Sequence, residues 1–98
     1  MDLKQHKHIH CVGIGGIGLS AIAEILLSRG YAVSGSDIKE SAVTDHLESL
    51  GARIFFSHDA ANLGDTDLLI YSAAVSAENP ELAAAKEKGI SVMSRAET

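Results

Sequence analysis

A glycine run, Gly13-Ile14-Gly15-Gly16-Ile17-Gly18, stands between the strand-like stretch His8-Ile9-His10-Cys11-Val12 and a largely apolar, helix-like stretch over residues 17–27. A strand, a tight turn and a helix N-terminus in that order bring the unpaired N–H groups of the first helical turn to the end of the strand. The helix dipole favours negative charge at the same point. Gly13 permits the sharp turn, Gly15 lets a phosphate approach the backbone, and Gly18 lets the helix pack closely on the strand. A diphosphate is the natural guest. A bare G-x-G-x-x-G also occurs in ordinary turns, so the context carries the inference. A second strand, over residues 31–36, ends in Asp37, 19 positions beyond Gly18, and dinucleotide-binding units place an acidic residue about 20 positions on.

The rest of the chain repeats the same grammar. Helices are expected over 17–28, with Ile22, Ile25 and Leu26 toward the sheet, and over 42–50, capped by Ser41, with Val43, Leu47 and Leu50 at helical spacing. A third starts at Asn79 as N-cap with Pro80 in the first helical position, and runs through Leu82 and Ala85 to Gly89. Strands follow Gly30, Gly51 and Gly89, at 31–36, 53–56 and 90–93, and another apolar run covers 68–71. Alternating strands and helices predict an α/β fold: one Rossmann-like, doubly wound parallel sheet of about five strands in the order 3-2-1-4-5. In that order strands one and four are neighbours, and ligands bind in the crevice at their C-terminal ends. The loop Ser72-Ala73-Ala74-Val75-Ser76 then lies beside the glycine turn, where its small residues allow backbone approach.

Ninety-eight residues make one domain, and 46% apolar with 21% charged residues describe a globular chain. A net charge of −5 argues against nucleic acid or an anionic membrane as partner. It leaves a nucleotide open, because backbone amides hold a phosphate without Lys or Arg. The single cysteine, Cys11, excludes an internal disulfide and fits a reducing cytoplasm. His10, Glu24 and the glycines inside the N-terminal apolar stretch argue against a membrane span or signal peptide.

The wording of these motifs is closer to one family than the generic pattern requires. His8 through Ala23, Ser34-Gly35-Ser36-Asp37, Leu50-Gly51-Ala52, Ser57-His58, Ser76-Ala77-Glu78-Asn79-Pro80-Glu81 and Arg95-Ala96-Glu97 resemble the N-terminal domain of the Mur ligases. Within that family they are most similar to the branch that joins L-alanine to UDP-N-acetylmuramic acid. The resemblance covers essentially the whole chain. It implies a Rossmann-like domain over residues 1–98 that holds the UDP part of the substrate, within a cytoplasmic, ATP- and Mg-dependent ligase of peptidoglycan synthesis. The central ATPase and C-terminal domains of that family are expected to lie outside these residues. No G-x-x-x-x-G-K-[ST] run occurs here, so the fragment alone is expected to bind substrate and catalyse nothing.

Carried over residue by residue, the resemblance implies that Gly13, Gly15, Gly16, Ile17 and Gly18 cradle the diphosphate. Ser36, Asp37 and Ile38 line the uridine end, with Asp37 accepting from ribose or base, and Ser72, Ala73 and Ala74 close the other side. Ala73 stands where the family often has a second serine, and Cys11 where it often has an aromatic residue. His58 matches a position that can face the nucleotide, although its place after a strand also suits a surface-loop histidine.

Other polar residues have plainer readings. His6, His8 and His10 alternate, as metal ligands on one strand face would, but no Cys or carboxylate lies at ligand spacing nearby. Cys11 reads as a buried apolar thiol. Asp59, Asp65 and Asp67 read as turn and capping residues, and Glu78, Glu81 and Glu87 as a solvated helix face, with Glu78 and Glu81 also suiting a helix N-terminus. Spacing alone leaves a second ligand open: an NAD(H)-binding regulatory or dehydrogenase module places its diphosphate on the same loop. A Rossmann-like interaction domain without ligand would need that loop blocked.

Overall fold

The computed structural model describes residues 7–72, 75 and 78–94. Strand β1 (His8–Val12) leads through the glycine turn into helix α1 (Ile17–Ser28). Strand β2 (Ala32–Ser36), helix α2 (Ala42–Ser49) and strand β3 (Arg53–Phe55) follow. A 3₁₀ turn (Ala60–Leu63), strand β4 (Leu68–Tyr71), helix α3 (Pro80–Glu87) and strand β5 (Ser91–Ser94) complete the chain. The strands form one parallel sheet in the order β3-β2-β1-β4-β5, as the alternation of elements predicts. The last strand begins one residue later than expected, at Ser91, because the Ile90 N–H closes the end of α3 by donating to Ala85 O at 2.9 Å. Among the described residues no helix is long and apolar enough to cross a membrane.

Alternation along the central strands separates two faces. Ile9 and Cys11 of β1, Val33 of β2, and Leu68 and Ile70 of β4 pack with Leu19, Ala23 and Leu26 of α1 and Leu47 of α2. On the other face Val12 and Leu69 pack with Leu63 of the 3₁₀ turn and Leu82, Ala84 and Ala85 of α3. His8, His10, Ser34 and Ser36 share this second face, since His10 is in register with Ser34 and Val12 with Ser36.

Three apolar expectations fail. Ile25 is 54% exposed; it sits about 120° around the helix axis from Leu19, off the stripe of Leu19, Ala23 and Leu26. Val43 and Leu50 are also exposed, because α2 covers the short edge strand β3 and turns Thr44 and Leu47 inward. The caps are as read. Ser41 Oγ accepts from Thr44 N while Thr44 Oγ1 accepts from Ser41 N at 2.9 Å. Asn79 accepts from Glu81 N at 2.9 Å, and Asp59 caps the 3₁₀ turn through Ala61 N at 2.9 Å.

Candidate functional site

The glycine turn closes against the end of β2. Gly13 N and Ile14 N both donate to Ser36 O, at 2.8 and 3.1 Å, and Gly16 N returns to Gly13 O at 3.0 Å. Gly13 has a φ of +83°, and a Cβ there would lie 3.1 Å from Ser72 Cβ and 3.3 Å from Val75 Cγ2. Only glycine combines that backbone with that approach. The first residues of the β4–α3 loop are thus packed against the turn, at the C-terminal ends of neighbouring β1 and β4. Ala73, Ala74 and Ser76 lie outside the described residues.

Helix α1 begins with Gly16 as an extended N-cap that has no side chain to offer, and its first turn carries no acidic residue. Ser20 N makes a backbone bond to Gly16 O at 2.8 Å. The amides of Ile17 and Gly18 before it are therefore the donors of an uncapped helix start, oriented for an anion. The amides of Gly13 and Gly16 are instead spent within the turn, so these two glycines shape the cradle more than they line it.

Asp37 reaches back onto the same turn. Its Oδ2 accepts from Gly15 N at 2.9 Å and its Oδ1 from Lys39 N at 3.3 Å, while its own N–H donates to Phe55 O at 3.0 Å. A Cβ on Gly15 would sit 2.6 Å from that Oδ2. Ile38, the next residue, is 77% exposed. Gly35 matters for a different reason: a Cβ there would meet Ile14 Cδ1 at 2.5 Å and Cys11 O at 2.7 Å. The turn could not lie on β2 with any side chain at position 35.

Under the second face runs a polar chain that sequence reading missed. Glu81 is not part of a solvated helix face; it is fully buried. Its Oε1 meets His10 Nε2 at 2.5 Å and Ser36 Oγ at 2.8 Å. Its Oε2 accepts from Asp59 N and Asn62 Nδ2, each at 3.0 Å. Burial acts to raise the Glu81 carboxyl, but the hydrogen bonds from His10, Asn62 and Ser36 and the His10 charge outweigh it and bring it down to about 2. The chain continues from His10 Nδ1 to Ser34 Oγ at 2.7 Å, on to His8 Nε2 at 2.7 Å, and from His8 Nδ1 to Asp65 Oδ1 at 2.6 Å. At its other end His58 Nδ1 stands 3.0 Å from Ser36 Oγ and 3.5 Å from Glu81 Oε2. His58 lies in the loop after β3, as its position suggested, with a side chain 22% exposed and tied to Ser36 at the end of β2.

A signal for Glu81 was present. His10, Ser34 and Ser36 fall on one face of two central strands that must be covered on both sides. Polar groups buried there require a partner on the covering helix, and the first turn of α3 supplies the carboxylate.

The histidines of β1 do not gather metal ligands: among the described residues no group of His, Cys, Asp and Glu is arranged to hold a metal ion. His6 lies outside the described residues. Cys11 is buried, and burial pushes its thiol up to about 12, so it is no nucleophile. The arrangement can bind an anion and orient polar groups beside it.

Comparison with known proteins agrees with this geometry. The profile of the Mur ligase family, catalytic domain, matches residues 8–98. A UDP-N-acetylmuramate–L-alanine ligase of Desulfosudis oleivorans is 58% identical over 97 residues, 99% of this chain and 21% of its own length. The crystal structure of a UDP-N-acetylmuramate–alanine ligase from Thermotoga maritima superposes with a TM-score of 0.88 at 43% identity, covering 94% of this chain and 21% of that one. A UDP-N-acetylmuramate:L-alanyl-γ-D-glutamyl-meso-diaminopimelate ligase from Neisseria follows at 0.82 and 30%, covering 91% and 28%. The chain thus spans about a fifth of the length of the curated relatives it matches. With a profile matched over residues 8–98 and close relatives over nearly the whole of it, the chain belongs to the Mur ligase family.

Proposed function

We propose that this chain is the UDP-sugar-binding unit of a cytoplasmic, ATP-dependent ligase that adds L-alanine to UDP-N-acetylmuramic acid in peptidoglycan synthesis. One observation carries the reading: the uncapped start of α1 opens at the crevice between β1 and β4, bordered by Asp37 and Ser72. The names of the relatives supply the ligand class. The diphosphate lies on the amides of Ile17 and Gly18, with Gly13, Gly15 and Gly16 setting the turn beneath it. Ser36, Asp37, Ile38 and His58 border the uridine, and Ser72, Ala73 and Ala74 close the far side.

ATP and Mg²⁺ are assigned no residues here. The chain has no phosphate-binding lysine loop, and among the described residues no carboxylate cluster suits the metal. In the whole ligase that the resemblance implies, bound ATP would supply activation of the muramyl carboxylate for attack by the L-alanine amine. These residues contribute binding and orientation. The NAD(H) alternative is not favoured, since the relatives named above carry ligase names. Calorimetric titration with UDP, UDP-N-acetylmuramic acid and NADH is decisive. Saturable binding of UDP and the UDP-sugar is expected; binding of NADH with no response to either would overturn the reading.

A further inference from the structure

Proton positions along the buried chain follow from its chemistry. An ionised Glu81 can only accept, so both His10 Nε2 and Ser36 Oγ donate to its Oε1. Ser36 has a single proton, and it is committed to the carboxylate. The hydroxyl therefore presents a lone pair to His58 Nδ1, 3.0 Å away, and two lone pairs do not meet at that distance. His58 must carry its proton on Nδ1. Nε2, which has no hydrogen-bond partner among the described residues, is then an acceptor on a side chain that is 22% exposed.

We propose that Glu81 is a positioning residue for ligand binding: by taking the Ser36 proton it fixes the His58 tautomer, so that Nε2 accepts from a ring N–H or hydroxyl of the bound nucleoside. The same residue steadies the cradle, because the Ser36 carbonyl holds the amides of Gly13 and Ile14. Helix α3 thereby sets groups on the opposite side of the sheet from α1. The inference rests on the UDP-binding reading above and adds to it a residue outside the crevice.

Replacing Glu81 by Gln reverses the chain. The Asp59 N–H beside Oε2 can only donate, so the amide oxygen of Gln must face it. The NH₂ group then points at His10 Nε2 and Ser36 Oγ, and both must accept. The Ser36 proton turns to His58 Nδ1, and the imidazole proton moves to Nε2, making a donor of the former acceptor.

The test is ¹⁵N NMR of the histidine rings of the 98-residue chain at mildly alkaline pH, paired with UDP titration of the wild type, Glu81→Gln and Ser36→Ala. A wild-type His58 protonated on Nδ1, a switch to Nε2 in Glu81→Gln, and roughly tenfold weaker UDP binding are expected. Ser36→Ala, which removes the hydroxyl but keeps the Glu81 carboxylate 3.5 Å from His58 Nδ1, should retain the Nδ1–H tautomer, because the carboxylate can only accept. This variant and the wild-type tautomer decide the matter if Glu81→Gln does not fold. A His58 protonated on Nε2 in the wild type or in Ser36→Ala, or a folded Glu81→Gln that binds UDP as tightly as the wild type, would overturn the role of Glu81 while leaving UDP binding intact. A wild type that does not bind UDP would overturn both readings.

Discussion

Gly15 answers two demands with one missing side chain. Sequence reasoning reserves its space for a phosphate; in the structure that space borders the Asp37 carboxylate, which also takes the Gly15 N–H. A Gly15→Ala methyl would displace Oδ2 and break a charged hydrogen bond, costing about 1–3 kcal/mol. Because Asp37→Ala removes the same bond, the two substitutions should be non-additive in a double-mutant cycle of urea denaturation. Simple additivity would show that Asp37 is not what excludes a side chain at position 15. Cys11 gives a second check at this scale. A fully buried thiol pushed up to about 12 should resist a thiol reagent in the native chain and react completely in urea. Rapid native labelling would contradict the packing of β1.

At the scale of elements, local chemistry starts and stops the helices while burial chooses their faces. Ser41 and Thr44 bond each other's backbone N–H at the start of α2, and Leu47 is the only large apolar side chain that this helix buries. With so little packing to hold it, α2 depends on its cap. Ser41→Ala should cost about 1 kcal/mol, read as a lowered urea midpoint, and should raise amide exchange within α2 more than within α1. Uniform exchange across both helices would count against this local role. Ile25, Val43 and Leu50 illustrate the limit of periodicity: their spacing suits a helix, but whether a flank is covered depends on the neighbouring strand. The short edge strand β3 leaves part of α2 overhanging. The β-strand pattern was easier to read, because Ile9 and Cys11 alternate with His8 and His10 on a strand covered from both sides.

For the molecule as a whole, the buried polar chain joins β1, β2, the 3₁₀ turn and α3 into one unit, and its acid response should report on it. The Glu81 carboxyl is held at about 2, below its ordinary 4.5. Below that ordinary value the unfolded chain takes up a proton that the folded chain refuses. The stabilisation is therefore complete above about pH 4.5 and is lost as the pH falls toward about 2, with a size on the order of 3 kcal/mol. Urea midpoints measured across that range should fall steeply for the wild type and more gently for Glu81→Gln. Identical slopes would remove Glu81 from the acid transition. The sequence alone determined the strand–glycine–helix start, the order of the sheet and the Ser41 and Asn79 caps of α2 and α3. Each depends on neighbours in the chain or on period, which a sequence displays. Tertiary structure alone decided that Glu81 is buried, that Asp37 folds back onto Gly15, and that Gly35 must lack a side chain to admit Ile14. Those facts depend on pairs 22 to 71 residues apart, or on one backbone crossing another, and no local pattern records such distances.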